Sequence, residues 1–342
     1  MNQSRKTLPL WLLSIAVAVL GGWGAEAMQW PLAWLLGPLC TMVVIRCGLN
    51  WSLPDVPGGR RVGQWVIATS IGLHFTPSVV QQIADNALAV LVAAFLTLWV
   101  TPLGIWCLRR YGCDRCTAYF ASLPGGASEM VNFALRYGAR QDLVAATHSL
   151  RLVSIVLLVP PIFAEISGTT KPLTMAVMIE PLVGIFLLGA LAAFLLRKWN
   201  LPNPWMFGPL ICAGLWVALT GIEMGLPPWL GRLGQLLIGL SLGSFFDRDF
   251  LRSAPRFLAW VMVFIFGSIV FCAVVGWVVA TASSLSVAAV LLGMMPGGIT
   301  ELSLTAEALQ LSVALVTAIQ VARLAMVMTI AGPFYQFFLS KQ

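Results

Sequence analysis

The stretch that decides the fold occurs twice: Ser122-Leu123-Pro124-Gly125-Gly126-Ala127-Ser128-Glu129-Met130 in the first half, and Met294-Met295-Pro296-Gly297-Gly298-Ile299-Thr300-Glu301-Leu302 in the second. Proline lacks the amide that a helix interior needs, and two glycines leave the backbone loose, so each Pro-Gly-Gly interrupts a helix. Both copies lie in strongly apolar surroundings. Because non-helical backbone survives at membrane depth only where protein buries it or water solvates it, the two copies mark a candidate internal site.

The composition is that of a multi-span membrane protein. Of 342 residues, 59% are hydrophobic and 10% are charged, whereas a soluble domain has about 25% charged residues. The 20 Lys and Arg outnumber the 13 Asp and Glu, which could indicate a nucleic-acid partner. These basic residues lie in short segments between apolar runs, however, where they act as topology signals. No polar stretch is long enough for a DNA-binding domain, so we expect membrane lipid and no nucleic acid as a partner.

The chain is a duplication. Matches at a spacing of 171 and then 172 residues persist across both halves, and chance would not keep such a register. The matched positions are Gly37-Pro38-Leu39 with Gly208-Pro209-Leu210, Pro124 with Pro296, Glu129 with Glu301, and Arg151 with Arg323. We therefore predict two membrane repeats, at residues 1–170 and 171–342.

Each repeat contains six apolar segments, most of them with the roughly 17–25 residues that a helix needs to cross a bilayer. They are Leu8 to Gly24, Trp30 to Gly48, Val62 to Val80, Ala87 to Leu108, Cys116 to Tyr137 and Asp142 to Phe163 in the first repeat, and Met175 to Leu196, Trp205 to Gly221, Leu233 to Phe246, Phe257 to Ala280, Leu285 to Leu309 and Ser312 to Phe338 in the second.

The basic residues predict opposite orientations for the two repeats, because excess Lys and Arg in short loops marks the cytoplasmic side. In the first repeat they precede the first segment and follow the second and fourth: Arg5, Lys6, Arg46, Arg60, Arg61, Arg109, Arg110 and Arg115. In the second repeat they follow the first and third segments: Arg197, Lys198, Arg248, Arg252 and Arg256. Opposite orientations require an odd number of crossings in each repeat, so one of the six segments does not cross.

The Pro-Gly-Gly segment is the natural candidate for the one that does not cross. The predicted fold class is thus all-α integral membrane, with two inverted-topology repeats, about ten transmembrane helices and two opposed re-entrant hairpins whose tips are the Pro-Gly-Gly motifs. A broken helix in place of each hairpin satisfies the same parity and stays open. Both termini are predicted to be cytoplasmic, in the bacterial inner membrane.

Two other patterns are weaker. The N-terminus has the order of a secretory signal, with basic residues, an apolar run and Ala25-Glu26-Ala27, but a similar run from Pro181 to Leu196 favours a first transmembrane segment. Cys113 and Cys116 have the spacing of a metal or redox pair, yet no second pair accompanies them. Unpaired thiols beside a cytoplasmic loop are the favoured interpretation.

Four charges lie well inside the apolar segments: Glu129 and Glu301 just after the breaks, and Arg151 and Arg323 near the middle of their helices. Each costs about 2.5 to 3.5 kcal/mol at the bilayer centre, so they should face inward and be partnered or hydrated. The simplest arrangement pairs each Glu with an Arg. Such pairs could only hold hairpin to helix, or the acids could exchange a proton or cation while the arginines attract an anionic group.

The residues around these charges complete the candidate substrate and ion site. Ser128 and Thr300 place a hydroxyl before each acid, in a first helical turn where free amides favour an anion. That position also gives the acids a structural explanation, as first-turn charges. The tips contribute Pro124, Gly125 and Gly126 in one copy, and Pro296, Gly297 and Gly298 in the other. His148, one turn before Arg151, is a candidate proton relay, although an interhelical hydrogen bond is the default.

The duplicated Pro-Gly-Gly-x-x-Glu, with Gly-Pro-Leu opening the second segment of each half, resembles the AbrB-duplication family of bacterial membrane proteins over essentially the whole chain. That family also carries labels naming an ammonia monooxygenase and a regulator of gene expression. The copper or iron of a monooxygenase would need a ligand set that this sequence lacks, so we expect no enzyme activity, no metal and no cofactor. The inverted repeats are similar in architecture to secondary transporters, an analogy that does not name a substrate.

The sequence therefore predicts a secondary transporter that couples a small solute to a proton or cation. The alternative is a non-transporting membrane protein that senses a signal or regulates gene expression indirectly. Solute, direction, coupling ion and homo-oligomeric state are left open.

Overall fold

A computed structural model describes residues 4–167, 176–246, 248 and 254–339. Throughout these ranges the regular structure is helical, without strands. The helices of the first half are α1 Ser4–Ala27, α2 Ala33–Val43, α3 Gly59–Gly72, α4 Pro77–Asp85, α5 Ala87–Thr97, α6 Thr101–Tyr111, α7 Arg115–Ser122, α8 Ala127–Tyr137 and α9 Gln141–Ser167. Those of the second half are α10 Ile179–Lys198, α11 Pro204–Thr220, α12 Pro228–Ser244, α13 Pro255–Thr281, α14 Val287–Met294, α15 Ile299–Ala308 and α16 Val313–Phe334.

Six helical stretches are long and apolar enough to cross a membrane, by length and composition: Leu10–Ala27, Ala87–Tyr111, Gln141–Glu165, Ile179–Lys198, Pro255–Thr281 and Val313–Phe337. Together with the composition they indicate an all-helical membrane protein. Ala33–Gly48 and Pro204–Thr220 are apolar but shorter. These two correspond to the predicted second segment of each predicted repeat, Trp30 to Gly48 and Trp205 to Gly221.

The predicted third segment, Val62 to Val80, is wrong as a single helix. Helix α3 ends at Gly72, and a separate helix α4 begins at Pro77. Pro77 has a fixed φ and no amide donor, so it starts the new helix more readily than it continues the old one. In the predicted second repeat the corresponding helix α12 begins at Pro228, five positions before the predicted Leu233.

The chain divides into two compact units, and each unit draws on both halves of the sequence. The first consists of Met1–Val80, Pro160–Ser253 and Glu307–Gln310, and the second of Gln81–Val159, Ala254–Ala306 and Leu311–Gln342. The duplication at residues 1–170 and 171–342 stays a prediction about the sequence, and its boundary lies outside the described residues. So do Arg252 and the first residue of the predicted segment that starts at Met175.

In the first unit, small residues let helices approach closely. Helix α2 packs on α1 and α12, while α11 packs on α10 and α3. A Cβ at Gly37 would overlap the backbone of α1 at Gly21, and one at Gly208 would overlap the backbone of α10 at Ala193. Gly37 and Gly208 are the first residues of the repeated Gly-Pro-Leu, so the motif is explained by close helix packing.

The second unit contains both Pro-Gly-Gly motifs. Helix α13 packs on α6 and α14, and α16 packs on α5 and α14. Helices α7 and α8 pack against each other around the first motif.

Candidate functional site

Each Pro-Gly-Gly motif forms a break between two short helices, as predicted. Helix α7 ends at Ser122 and α8 begins at Ala127, while α14 ends at Met294 and α15 begins at Ile299. The residue before each proline is extended, with ψ 136° at both Leu123 and Met295. Proline disfavours helical geometry in the residue that precedes it, so the two copies stop their helices in the same way.

The first break is the tip of a hairpin. Cys116, at the start of α7, lies 3.4 Å from the backbone oxygen of Tyr137, at the end of α8. The backbone amide of Arg140 also donates to Thr117 Oγ1 at 2.9 Å. The chain therefore returns to the point where it entered. This geometry is that of a hairpin, whereas a broken helix running straight on would separate these two ends.

Arginine side chains hold both breaks. Arg151 of α9 donates from Nη1 to the Leu123 carbonyl (2.9 Å) and from Nη2 to the Gly125 carbonyl (3.2 Å). Arg323 of α16 makes the corresponding bonds, to the Met295 carbonyl (2.8 Å) and the Gly297 carbonyl (3.0 Å). A break leaves backbone carbonyls without helical partners, and the planar fork of a guanidinium can serve two of them at once. Both arginines are buried, at 4% and 3% exposure.

His148 and Gln320 orient the two arginines: each accepts a hydrogen bond from its arginine and donates one to a backbone carbonyl. Arg151 Nη2 lies 3.0 Å from His148 Nδ1, and His148 Nε2 lies 3.0 Å from the Phe120 carbonyl. Because a guanidinium only donates and a carbonyl only accepts, the ring is neutral with its proton on Nε2. In the other half, Gln320 Oε1 accepts from Arg323 Nη2 at 2.6 Å and its amide nitrogen donates to Met295. The proton-relay role of His148 stays a prediction, and in this geometry both ring nitrogens are engaged.

The two breaks pack crosswise against the helices that carry the arginines. Val327 of α16 touches the position that a Cβ at Gly125 would take. Conversely, Leu152 and Ile155 of α9 touch the corresponding positions at Gly298 and Gly297. One cluster within the second unit thus contains both breaks and both arginines. We call it the paired-break site, comprising residues 123–129, 295–301, His148, Arg151, Gln320 and Arg323.

The two acids are buried at this site. Glu129 is 8% exposed and Glu301 is 5% exposed, each in the first turn of the helix that follows its break. A Cβ at Gly298 would overlap Glu301 Oε2, so the carboxylate folds back over the break. The predicted pairing of each Glu with an Arg stays a prediction. Of the two predicted hydroxyls, Thr300 is buried whereas Ser128 is exposed.

Cys272 of α13 is a neighbour of the paired-break site, and the sequence analysis missed it. Its side chain is fully buried and interacts electrostatically with both Arg151 and Arg323. The two guanidinium groups also interact with each other. A single cysteine in a long apolar run gives no sequence signal, because only the packing of α13 brings it to the arginines.

The metal and redox alternatives find no support in the described residues. Among them, no group of three His, Cys, Asp or Glu side chains could hold a metal ion. Burial, and secondarily the charge of Asp114, raises the pKa of the Cys113 thiol to about 11. A thiol that stays protonated at neutral pH is a poor nucleophile and a poor metal ligand, so Cys113 fits a structural role better.

Two curated relatives match the chain along nearly its full length. "Putative regulator AbrB" of Escherichia coli K12 is 26% identical, with 96% of each chain covered. "Uncharacterized protein YhjN" of Bacillus subtilis 168 is 25% identical, over 96% of this chain and 92% of its own. No solved structure matches the chain significantly. The family model described as "Transition state regulatory protein AbrB" matches residues 34–339. Because this match covers most of the chain, the family resemblance is confirmed, and the chain belongs to the AbrB family.

Proposed function

We propose that the protein is a secondary transporter of a small solute, coupled to a proton or cation, with its binding site at the paired-break site. The observation that carries the proposal is the burial of Glu129, Glu301, Arg151 and Arg323 at two interrupted helices in one compact unit. Ionisable residues inside a membrane protein are expensive and commonly serve transport. Interrupted helices at such a site are the arrangement that secondary transporters use to bind solutes and ions.

Contacts between segment ends support the inverted topology on which this proposal depends. Three hydrogen bonds join ends that the charge pattern assigns to one side: Arg232 with Glu26 (2.6 Å) and Ser284 with Asn86 (3.2 Å) outside, and Arg46 with the Phe246 carbonyl (2.9 Å) inside. A different orientation of either repeat would set these partners on opposite faces. We infer ten crossing helices in the bacterial inner membrane, two hairpins, cytoplasmic termini and no enzyme activity.

The test is proton movement in proteoliposomes with pyranine trapped inside. Gradients of small carboxylates, inorganic phosphate, sulfate, amino acids and amines are applied one at a time to the native protein. We expect one class to drive proton movement, and Glu129→Gln and Glu301→Gln each to abolish it. The yield and monodispersity of each variant should match those of the native protein.

A non-transporting regulator is the second candidate, and the name of the Escherichia coli relative favours it. It predicts that no gradient drives flux through the native protein. A deletion strain would then change its gene expression without changing the intracellular or extracellular level of any metabolite. That pair of results would replace the transporter with the regulator.

A further inference from the structure

The buried guanidinium of Arg323 has a hydrogen-bond donor that the described residues do not use. Arginine carries five N–H donors. Nη1 and Nη2 bond the Met295 and Gly297 carbonyls and Gln320, whereas Nε is buried and has no hydrogen-bond partner within the part of the chain that the structure describes. A buried donor without a partner is rare in proteins and calls for a ligand or water.

The positive charges of the two arginines also repel each other. Arg151 lies close enough to Arg323 for their like charges to interact, and Cys272 interacts with both. Cys272 is fully buried, so the medium between these groups screens charge weakly. Holding two cations together there is unfavourable unless negative charge balances them. A ligand with oxygen acceptors would supply both the charge and the acceptor for Arg323 Nε.

The charged and titratable groups at this site limit how that balance can be reached. They are Arg151 on α9, Arg323 on α16, Glu129 on α8, Glu301 on α15, the neutral His148 on α9 and Cys272 on α13. With both carboxylates ionised, the two acids already offset the two arginines. With both carboxylates protonated, the arginines carry two positive charges that only an incoming anion can offset. Anion binding and proton binding are therefore linked, and each favours the other.

We propose that the solute is a small oxyanion, bound between the Arg151 and Arg323 guanidinium groups, and that Glu129 and Glu301 take up protons as it binds. This inference rests on the proposed transporter function and names its substrate class. One proton goes from bulk water to each carboxylate, and no covalent bonds other than these two O–H bonds are made. Release of the anion on the far side returns both protons to water, which makes the process an anion–proton symport.

Cys272 allows a test that leaves both arginines in place. Cys272→Asp adds a fixed negative charge beside the guanidinium groups, and Cys272→Asn adds nearly the same shape without charge. Each variant of the full-length protein is placed in lipid nanodiscs and titrated calorimetrically with sodium sulfate, inorganic phosphate, acetate and succinate. We expect the native protein to bind at least one of them. Cys272→Asp should weaken that binding by at least ten-fold, and Cys272→Asn by less than three-fold.

Proton uptake is measured in the same titrations, by using two buffers of equal pH and different ionisation enthalpy. The native protein should take up protons with the anion, and the Glu129→Gln, Glu301→Gln double variant should take up none. This arm decides the matter if Cys272→Asp does not fold. No binding of any of the four anions, or binding without proton uptake, would overturn the inference.

Flux measurements separate this inference from the function on which it rests. Coupled flux of an amine or a neutral solute, unaffected by Cys272→Asp, would leave a transporter whose substrate is not an oxyanion. Anion binding with proton uptake but no flux in proteoliposomes would support the site and contradict the transporter.

Discussion

At the scale of single residues, the breaks are stable because side chains replace the helical hydrogen bonds that proline and glycine remove. The carbonyls of Leu123 and Met295 would otherwise be buried acceptors with no donor, at a cost of about 1–3 kcal/mol each. Arg151 and Arg323 satisfy them. The buried arginines therefore have a structural task in addition to any role in binding, and substitutions there would confuse the two.

Substitutions of His148 distinguish a structural role from a role in proton transfer better than substitutions of the arginines do. We expect His148→Gln to keep the fold, because Gln320, at the corresponding position of the other half, accepts from Arg323 and donates to a backbone carbonyl. His148→Leu should lower stability by about 1–3 kcal/mol, since it leaves an arginine donor and the Phe120 carbonyl unpaired. Thermal unfolding of both variants in detergent measures the difference. If His148→Gln folds normally but uncouples protons from flux, His148 is a relay after all.

Gly298 should be intolerant of a side chain. A Cβ there would overlap Glu301 Oε2, so Gly298→Ala has to displace the carboxylate and should cost about 1–3 kcal/mol by overpacking. Gly184→Ala on α10 is the matched control, because a Cβ there meets nothing within 4 Å. That control should leave stability unchanged or raise it by up to about 1 kcal/mol, as Ala favours helix over Gly. Equal unfolding midpoints for the two variants in a denaturant titration would contradict the placement of Glu301.

At the scale of elements, local capping signals explain why the first hairpin could be predicted almost to the residue. The predicted segment ran from Cys116 to Tyr137, and the helices run from Arg115 to Tyr137. Asp114 caps α7 by accepting from the Thr117 amide at 2.9 Å, and Gly138 ends α8 with φ 75°. Both are ordinary sequence signals for helix ends.

Cross-linking tests the hairpin against a straight broken helix. In a background where Cys116 is the sole cysteine, Tyr137→Cys should form a link with a short bifunctional thiol reagent, because these two residues are in contact. Ser128→Cys, at the tip, is the control and should not link. A helix continuing straight from 115 to 137 would hold the two ends about 30 Å apart. The absence of a link in the Tyr137→Cys variant would favour that alternative, which also holds residues 116 and 128 about 18 Å apart.

Other features of the elements depend on tertiary packing and left no local signal. The break between α3 and α4 was missed even though Pro77 marks it, because the apolar run continues on both sides. The backbone carbonyls that Arg151 and Arg323 bond were not predicted, because the sequence has no means of showing which carbonyls lie within reach of a side chain. Cys272 was missed for the same reason, since its neighbours come from helices far away in the chain.

At the scale of the whole molecule, the two predicted repeats and the two compact units divide the chain differently. Periodic matches at 171 and 172 residues predicted where one repeat follows the other. They contain no information about which helices pack together, and the helices of both halves are shared between the two units. The number of membrane crossings depends on the length of each helix and on its position in the membrane. Apolar runs in the sequence define both only coarsely.

Thiol labelling of intact cells tests the proposed inverted topology. Single cysteines replace four exposed loop residues in a cysteine-free background: Gln29 and Ser284 on the predicted outside, and Asn50 and Asn200 on the predicted inside. A membrane-impermeant maleimide should label the first pair in intact cells and the second pair only after lysis. Labelling of Gln29→Cys and Asn50→Cys from the same side would contradict the orientation predicted for the first repeat. Labelling of Ser284→Cys and Asn200→Cys from the same side would contradict the orientation predicted for the second repeat.

The interleaving of the two halves has a consequence for how the protein is made. Hydrogen bonds such as Glu26 with Arg232 and Tyr119 with the Ala331 carbonyl join residues 206 and 212 positions apart. When the ribosome has synthesised only the first half, neither compact unit has its full set of helices. The helices of the first half therefore stay in the bilayer without their packing partners until translation nears its end. An early stop codon in the gene therefore leaves both compact units incomplete, rather than one unit complete and the other absent.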